Sequence, residues 1–138
     1  MNKRAFIDIN IALDLLLQRE PFYADVEDLF ALAHDNKIEL FIAAHSFVII
    51  DYVASKAMNF SKRKNLMLNF KKWVTVLPLN DEIISSALLS ATDFEDEIQQ
   101  LIAVRQKVDV LITHDIKGFK NCPISVMSAK QFIKTLTL

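Results

Sequence analysis

Arg4-Ala5-Phe6-Ile7-Asp8-Ile9-Asn10-Ile11-Ala12-Leu13-Asp14-Leu15-Leu16 is an apolar run that ends on a carboxylate and then changes its period. Phe6 and Ile7 read as a short buried strand, whereas Leu13, Leu16 and Leu17 recur at the three- and four-residue spacing of a helix face. Asp8 is thereby placed at the C-terminal end of a strand and at the start of a helix. In an open parallel sheet the crevices that bind ligands lie at that edge. Asp and Asn are also good helix caps, so this stretch alone does not separate a site from a cap.

The same alternation continues downstream. Gln18-Arg19-Glu20-Pro21 breaks the first helix, and a second is expected with Val26, Leu29, Phe30, Leu32 and Ala33 on its buried face, fading near Asn36. Glu39 to Ala43 reads as a strand. Residues 47–53 favour strand by propensity, but the continuation through Ala54 and Ala57 favours a helix capped near Ser46. A basic amphipathic segment, residues 56–73, leads into a strand at residues 74–77 that Pro78 closes. Asn80 is placed to cap a helix through Leu89, and Thr92 with Glu95 fits a capping box opening another. That arrangement puts Asp96 in a first helical turn, where the helix dipole favours an ionised acid. Residues 108–112 form the clearest later strand, with Thr113-His114-Asp115 leaving its end. Residues 124–126 suit an edge strand, and Ser128 is placed to cap a last helix. Helices alternating with short apolar strands predict a three-layer α/β/α fold around a parallel sheet of four or five strands, in one domain over residues 1–138.

Composition narrows the chemistry. With 138 residues, 52% of them hydrophobic and 24% charged, the chain is long and apolar enough to bury a core without staples. It holds one glycine, Gly118, which excludes the glycine-rich phosphate loops of nucleotide-binding motifs. Its one cysteine, Cys122, excludes an intrachain disulfide and a Cys-based zinc site. No signal-peptide pattern precedes Asp8, and residues 38–54, the most apolar long stretch, are interrupted by Glu39, His45 and Asp51. Nothing approaches the ~20 apolar residues of a membrane span, and a cytoplasmic protein without a membrane partner is expected.

Two strand ends carry an acid, Asp8 and Asp115, and right-handed crossovers bring parallel strand ends to one edge. Asp96 opens the helix before Asp115's strand. Asp51 interrupts an apolar stretch in which an unpaired charge is costly to bury. Acids without a basic partner in their local segments point to a shared cation of the oxygen-preferring kind; the other reading is that Asp51 faces water and the rest are caps.

These segments resemble a known family. Residues 6–16 are similar to the opening of PIN domains, with an apolar strand, Asp, a variable residue, Asn and a Leu-rich helix. Residues 92–99, followed by 111–119 and the Pro-Ile-x-Val-x-Ser ending at Ser128, resemble the family's second half. The resemblance implies a PIN-like fold and a VapC-like toxin ribonuclease using one or two Mg²⁺ or Mn²⁺ ions. Asp8, Asp51, Asp96 and Asp115 match the family's acids by position, and Asn10 and Thr113 are expected to support them. Asp51 stands where relatives more often have Glu, and Gly118 where many have a further acid. The implied partners are RNA, an antitoxin protein and a second copy of the chain.

Charge agrees with RNA as a substrate, since setting the four proposed acids aside from a net charge of −1 leaves +3 on the rest. Residues 56–72 hold much of that excess. They read either as a solvated helix face or as a basic groove with Phe60 or Trp73 as its aromatic platform. Three rival functions come from other classes. One is a PIN-fold module that acts through protein docking, and the second is metal-free cleavage using His45 and His114. The third, an Asp phosphoryl acceptor, lacks the Lys it would need after a late strand.

Overall fold

A computed structural model describes residues 2–136. The chain runs β1 (Lys3–Ile7), α1 (Ile9–Leu16), α2 (Tyr23–His34), β2 (Ile38–Ala43), α3 (Ala44–Ala54), α4 (Phe60–Lys71), β3 (Thr75–Leu77), α5 (Asp81–Leu88), α6 (Phe94–Arg105), β4 (Val110–Ile112), a 3₁₀ turn (Ile116–Phe119), β5 (Ser125–Met127) and α7 (Ala129–Thr135). The five strands pair in parallel in the order β3-β2-β1-β4-β5. The expected parallel α/β fold is present, and β1 and β4, whose ends carry Asp8 and Asp115, are neighbours. β1 lies between β2 and β4, unlike the 2-1-3-4-5 order of receiver-type sheets.

The three layers follow from side-chain alternation along the strands. Ala5 and Ile7, Leu40 and Ile42, and Val110 and Ile112 face one core, shared with α1, α2, Phe70 of α4 and Phe132 of α7. Phe6, Phe41, Ala43 and Leu111 face the other, shared with Ile83 of α5, Ile98 and Ile102 of α6, and Phe119. Both faces of the sheet are therefore dry, which is why its strands read as continuous apolar runs.

Several boundaries differ from the sequence reading for local reasons. The α3 cap is Ala43, without a side-chain bond, and Ser46 lies inside the helix, fully buried. The α6 cap is Asp93, not Thr92; its carboxylate accepts from the Asp96 N–H at 3.1 Å, while the Thr92 hydroxyl donates to Glu97. Asn80 and Ser128 do cap α5 and α7, the latter in a capping box with Gln131.

Candidate functional site

Asp8 occupies the cap position of α1, but its side chain makes no capping bond. The register Ile7↔Ile112 sets it beside Thr113, and continued alternation turns both side chains toward the α6 layer. The Thr113 hydroxyl donates to Asp8 Oδ2 at 2.8 Å, and the Gln99 amide nitrogen donates to Oδ1 at 3.0 Å. Gln99 is fully buried and its own oxygen accepts the Ile9 N–H at 3.0 Å. One amide thus both satisfies the first turn of α1 and fixes the carboxylate. Burial raises the pKa of Asp8 above the usual carboxylate value, and the bonds from Gln99 and Thr113 offset part of that rise.

Because α6 leads into β4, its N-terminus lies at the carboxyl edge of the sheet, next to Asp8. Asp96, in the first turn, has its pKa pushed up to about 6 by burial and then by the charges of Asp93, Asp8, Asp115 and Glu95. The helix dipole favours an ionised acid there, but burial and repulsion outweigh it. Asp115 caps the 3₁₀ turn, accepting from the Gly118 N–H at 3.3 Å, and its own N–H donates to the Thr113 hydroxyl at 3.0 Å. A Cβ on Gly118 would stand 2.9 Å from Asp115 Oδ2 and 3.0 Å from Asp96 Oδ2. The missing side chain leaves the space on which those two oxygens converge.

Of the four acids expected at the site, Asp8, Asp96 and Asp115 meet at this edge. Asp51 is not among the charges that act on Asp8 or Asp96. It lies two turns into α3, about 10 Å along the helix from its start, and accepts from Arg63 Nε at 2.6 Å. A basic partner is present after all, twelve residues on, where a local scan of charges does not reach. The Asn10 side chain does not reach the Asp8 carboxylate, its Oδ1 accepting from Arg19 Nη2 at 3.2 Å, whereas the Asn10 backbone N–H does favour the ionised Asp8. Thr113 does hold Asp8. Trp73 packs on His34 at the amino edge of β2 and β3, opposite the acids, and Phe60 sits against Arg63 and Lys64. Neither lines the cavity that holds Asp8 and Asp115.

Two groups at the edge escaped the sequence reading. Glu95 contacts His45 Nε2 and accepts from Gln99 Nε2 at 3.2 Å, extending the chain of contacts Asp8–Gln99–Glu95–His45. Its signal was a polar residue on the apolar stripe Ile98, Ile102 and Ala103 of α6. The second group is Asp14, whose side chain is 3% exposed, sandwiched between Arg19 and His114. Arg19 Nε donates to Oδ1 at 2.9 Å, and His114 Nε2 lies 2.8 Å from Oδ2 without the alignment of a hydrogen bond. An acid on the inner face of a Leu-rich helix marked that group.

The donor set suits a hard cation: carboxylate oxygens, no thiolate, and an acid among acids with no basic side chain among its contacts. Among the described residues, no three metal-binding side chains are drawn around one point.

A parallel α/β/α sandwich with acids gathered where β1 and β4 end defines the class of protein. The family model of the PIN domain matches residues 4–117, and the chain belongs to that family. Among solved structures, it is similar to the DNA-bound VapBC from Salmonella typhimurium, at 15% identity and a TM-score of 0.71, covering 94% of this chain and 99% of that one. VapBC2 from Rickettsia felis, bound to a promoter DNA fragment, is 16% identical over 91% of this chain and 97% of its own, with a TM-score of 0.66. VapC20 from Mycobacterium tuberculosis, a sarcin-ricin loop cleaving toxin, is 10% identical over 78% and 86%, with a TM-score of 0.61. At these identities the likeness is one of fold. No curated protein sequence matches the chain, and among the described residues no helix is long and apolar enough to cross a membrane.

Proposed function

We propose that the chain is a metal-dependent endoribonuclease, the toxin of a toxin–antitoxin pair. The observation that carries this reading is the convergence of the Asp96 and Asp115 carboxylates on the open space at Gly118, beside an Asp8 fixed by two donors, with burial and acidic neighbours raising the pKa of Asp96. A folded protein keeps such a cluster when a cation completes it. Asp8, Asp96 and Asp115 would hold Mg²⁺ or Mn²⁺, one ion or two. The cation supplies neutralisation of the scissile phosphate and a water of lowered pKa for in-line attack. The chain's own residues do the positioning. Gln99 and Thr113 lock the Asp8 carboxylate, Thr113 also ties down the Asp115 backbone, and Gly118 keeps the space between Asp96 and Asp115 open.

The toxin role and its partners follow by analogy with VapC20 and the VapBC structures. An antitoxin segment would cover this acidic edge, and a homodimer is the proposed assembly. The test is cleavage of single-stranded RNA by the purified protein, with Mg²⁺ or Mn²⁺ and with chelator, alongside calorimetric Mn²⁺ titration. Metal-dependent cleavage lost in Asp8→Asn and Asp96→Asn is expected. Absence of both cleavage on varied RNAs and Mn²⁺ binding overturns the enzyme reading and favours a docking module. Chelator-resistant cleavage would favour His45 and His114 instead.

A further inference from the structure

Next to the acids lies a cavity of about 350 Å³ whose lining includes Asp8 and Asp115 together with an aromatic wall, Phe22 backed by His114. The two rings are stacked, with centroids 3.9 Å apart and planes inclined by 17°. This wall is braced from behind. His114 Nε2 rests 2.8 Å from Asp14 Oδ2, Arg19 Nε holds Oδ1 of the same buried carboxylate at 2.9 Å, and Arg19 Nη2 reaches Asn10 at 3.2 Å. The brace starts two residues after Asp8 and ends one residue before Asp115, so the aromatic wall and the acids are positioned by the same two strand ends. Phe22 itself remains 38% exposed, although it is a large apolar ring whose inner face is already covered.

We infer that Phe22 is a stacking platform for an unpaired nucleobase of single-stranded RNA, next to the phosphate held at the acids. The inference rests on the ribonuclease reading and deepens it. A planar, pre-braced ring costs little entropy to use, and stacking tolerates any base because each has a π-face. The cavity lies in the size range of small-molecule sites. Its polar wall residues, Arg19 and Glu20, offer a donor and an acceptor to a base edge. A base held in duplex presents no free face, so the site selects single-stranded substrate.

The test uses the full chain carrying Asp96→Asn to prevent cleavage, with single-stranded RNA hexamers containing 2-aminopurine, read by fluorescence and by equilibrium binding. Phe22→Ala is expected to weaken binding by roughly five- to a hundredfold, the range of one base–aromatic stack, and to remove the quenching of 2-aminopurine. Phe22→Trp keeps both. Scanning an abasic nucleotide along the hexamer should find one position that weakens the parent and leaves Phe22→Ala unchanged. Binding by Phe22→Ala within twofold of the parent, with an unchanged thermal melt, overturns the proposal, as does a parent that binds none of the hexamers. Metal-dependent cleavage by the wild-type chain, measured separately, shows whether the ribonuclease reading falls with it.

Discussion

Asp96 and Asp51 each sit on a helix that begins at the carboxyl edge of the sheet, on opposite faces of it, yet one is surrounded by acids and the other is paired with a base. Asp96 is in the first turn of α6 and is surrounded by Asp93, Asp8, Asp115 and Glu95. Asp51 is two turns into α3 and is paired with Arg63. Their neighbours make the difference. Asp96, in a first turn, lies among the acids at the strand ends, while Asp51, about 10 Å further along its own helix, is met by a base from α4. On α3 the residue in the first turn is His45, and it does reach the site, through Glu95.

The contrast breaks most sharply at the acids themselves. Asp8→Asn and Asp96→Asn each should lower metal-dependent RNA cleavage by at least about 100-fold, since even residues that merely orient metal ligands cost about 10–100-fold when lost. Single-turnover assays at saturating Mn²⁺ would measure this. A loss under tenfold for both would mean that the carboxylates at this edge are not the reacting centre.

Gln99 tests whether the first-turn acids depend on the layer below them. Gln99→Leu keeps the apolar stripe of α6 but leaves Asp8 Oδ1 and the Ile9 N–H, both buried, without their partner. Unfolding in urea should show a loss of about 2–4 kcal/mol, the sum expected when a buried amide and a buried carboxylate lose a donor or acceptor. An unchanged midpoint would show that Asp8 is held by Thr113 alone.

Asp96 itself gives a smaller, pH-dependent effect whose sign is set by its raised pKa. In the unfolded chain the carboxyl ionises near 3.8, and in the folded chain near 6. Its contribution is therefore fully retained below the lower value, and stability is lost as pH rises through about 6. Allowing for its partial exposure, the loss amounts to about 1 kcal/mol. Asp96→Asn should then be the more stable protein at pH 7.5 without metal and no more stable than wild type at pH 4. Adding Mn²⁺ should stabilise the wild type and not the variant. Equal stability of the two chains across that pH range would mean that Asp96 carries no repulsion.

How much of this could be read from residues alone follows the same logic of reach. The strand holding Phe6 and Ile7 and the caps at Asn80 and Ser128 rest on local periodicity or hydrogen bonding, and they are present as expected, whereas the adjacency of the Asp8 and Asp115 strands, left open by the sequence, comes from the β1–β4 pairing. The Thr92 cap failed by one residue because Asp93 offers an equally good acceptor, a choice that local sequence does not decide. Asp51 and Asn10 were assigned by position in a family pattern, and their partners, Arg63 and Arg19, come from other turns of the chain. Basic residues cluster near Trp73 and suggest an aromatic platform there, but the path of the chain puts that residue at the opposite edge. Phe22 and His114, ninety-two positions apart in sequence, meet only through the β1–β4 pairing.

Asp51→Asn is the smallest effect and the one that separates the two helices cleanly. The pair with Arg63 is partly exposed on the acid side, with the Asp51 side chain 38% accessible, and such pairs contribute about 0–1 kcal/mol. Arg63 keeps its bond to the Met58 carbonyl at 3.2 Å and its place over Phe60, so the guanidinium is not stranded. Because none of the contacts of Asp8, Asp96 or Asp115 passes through Asp51, cleavage rate and Mn²⁺ affinity should stay within about threefold of wild type, as for independent sites. A large loss of activity with unchanged stability would return Asp51 to the catalytic set.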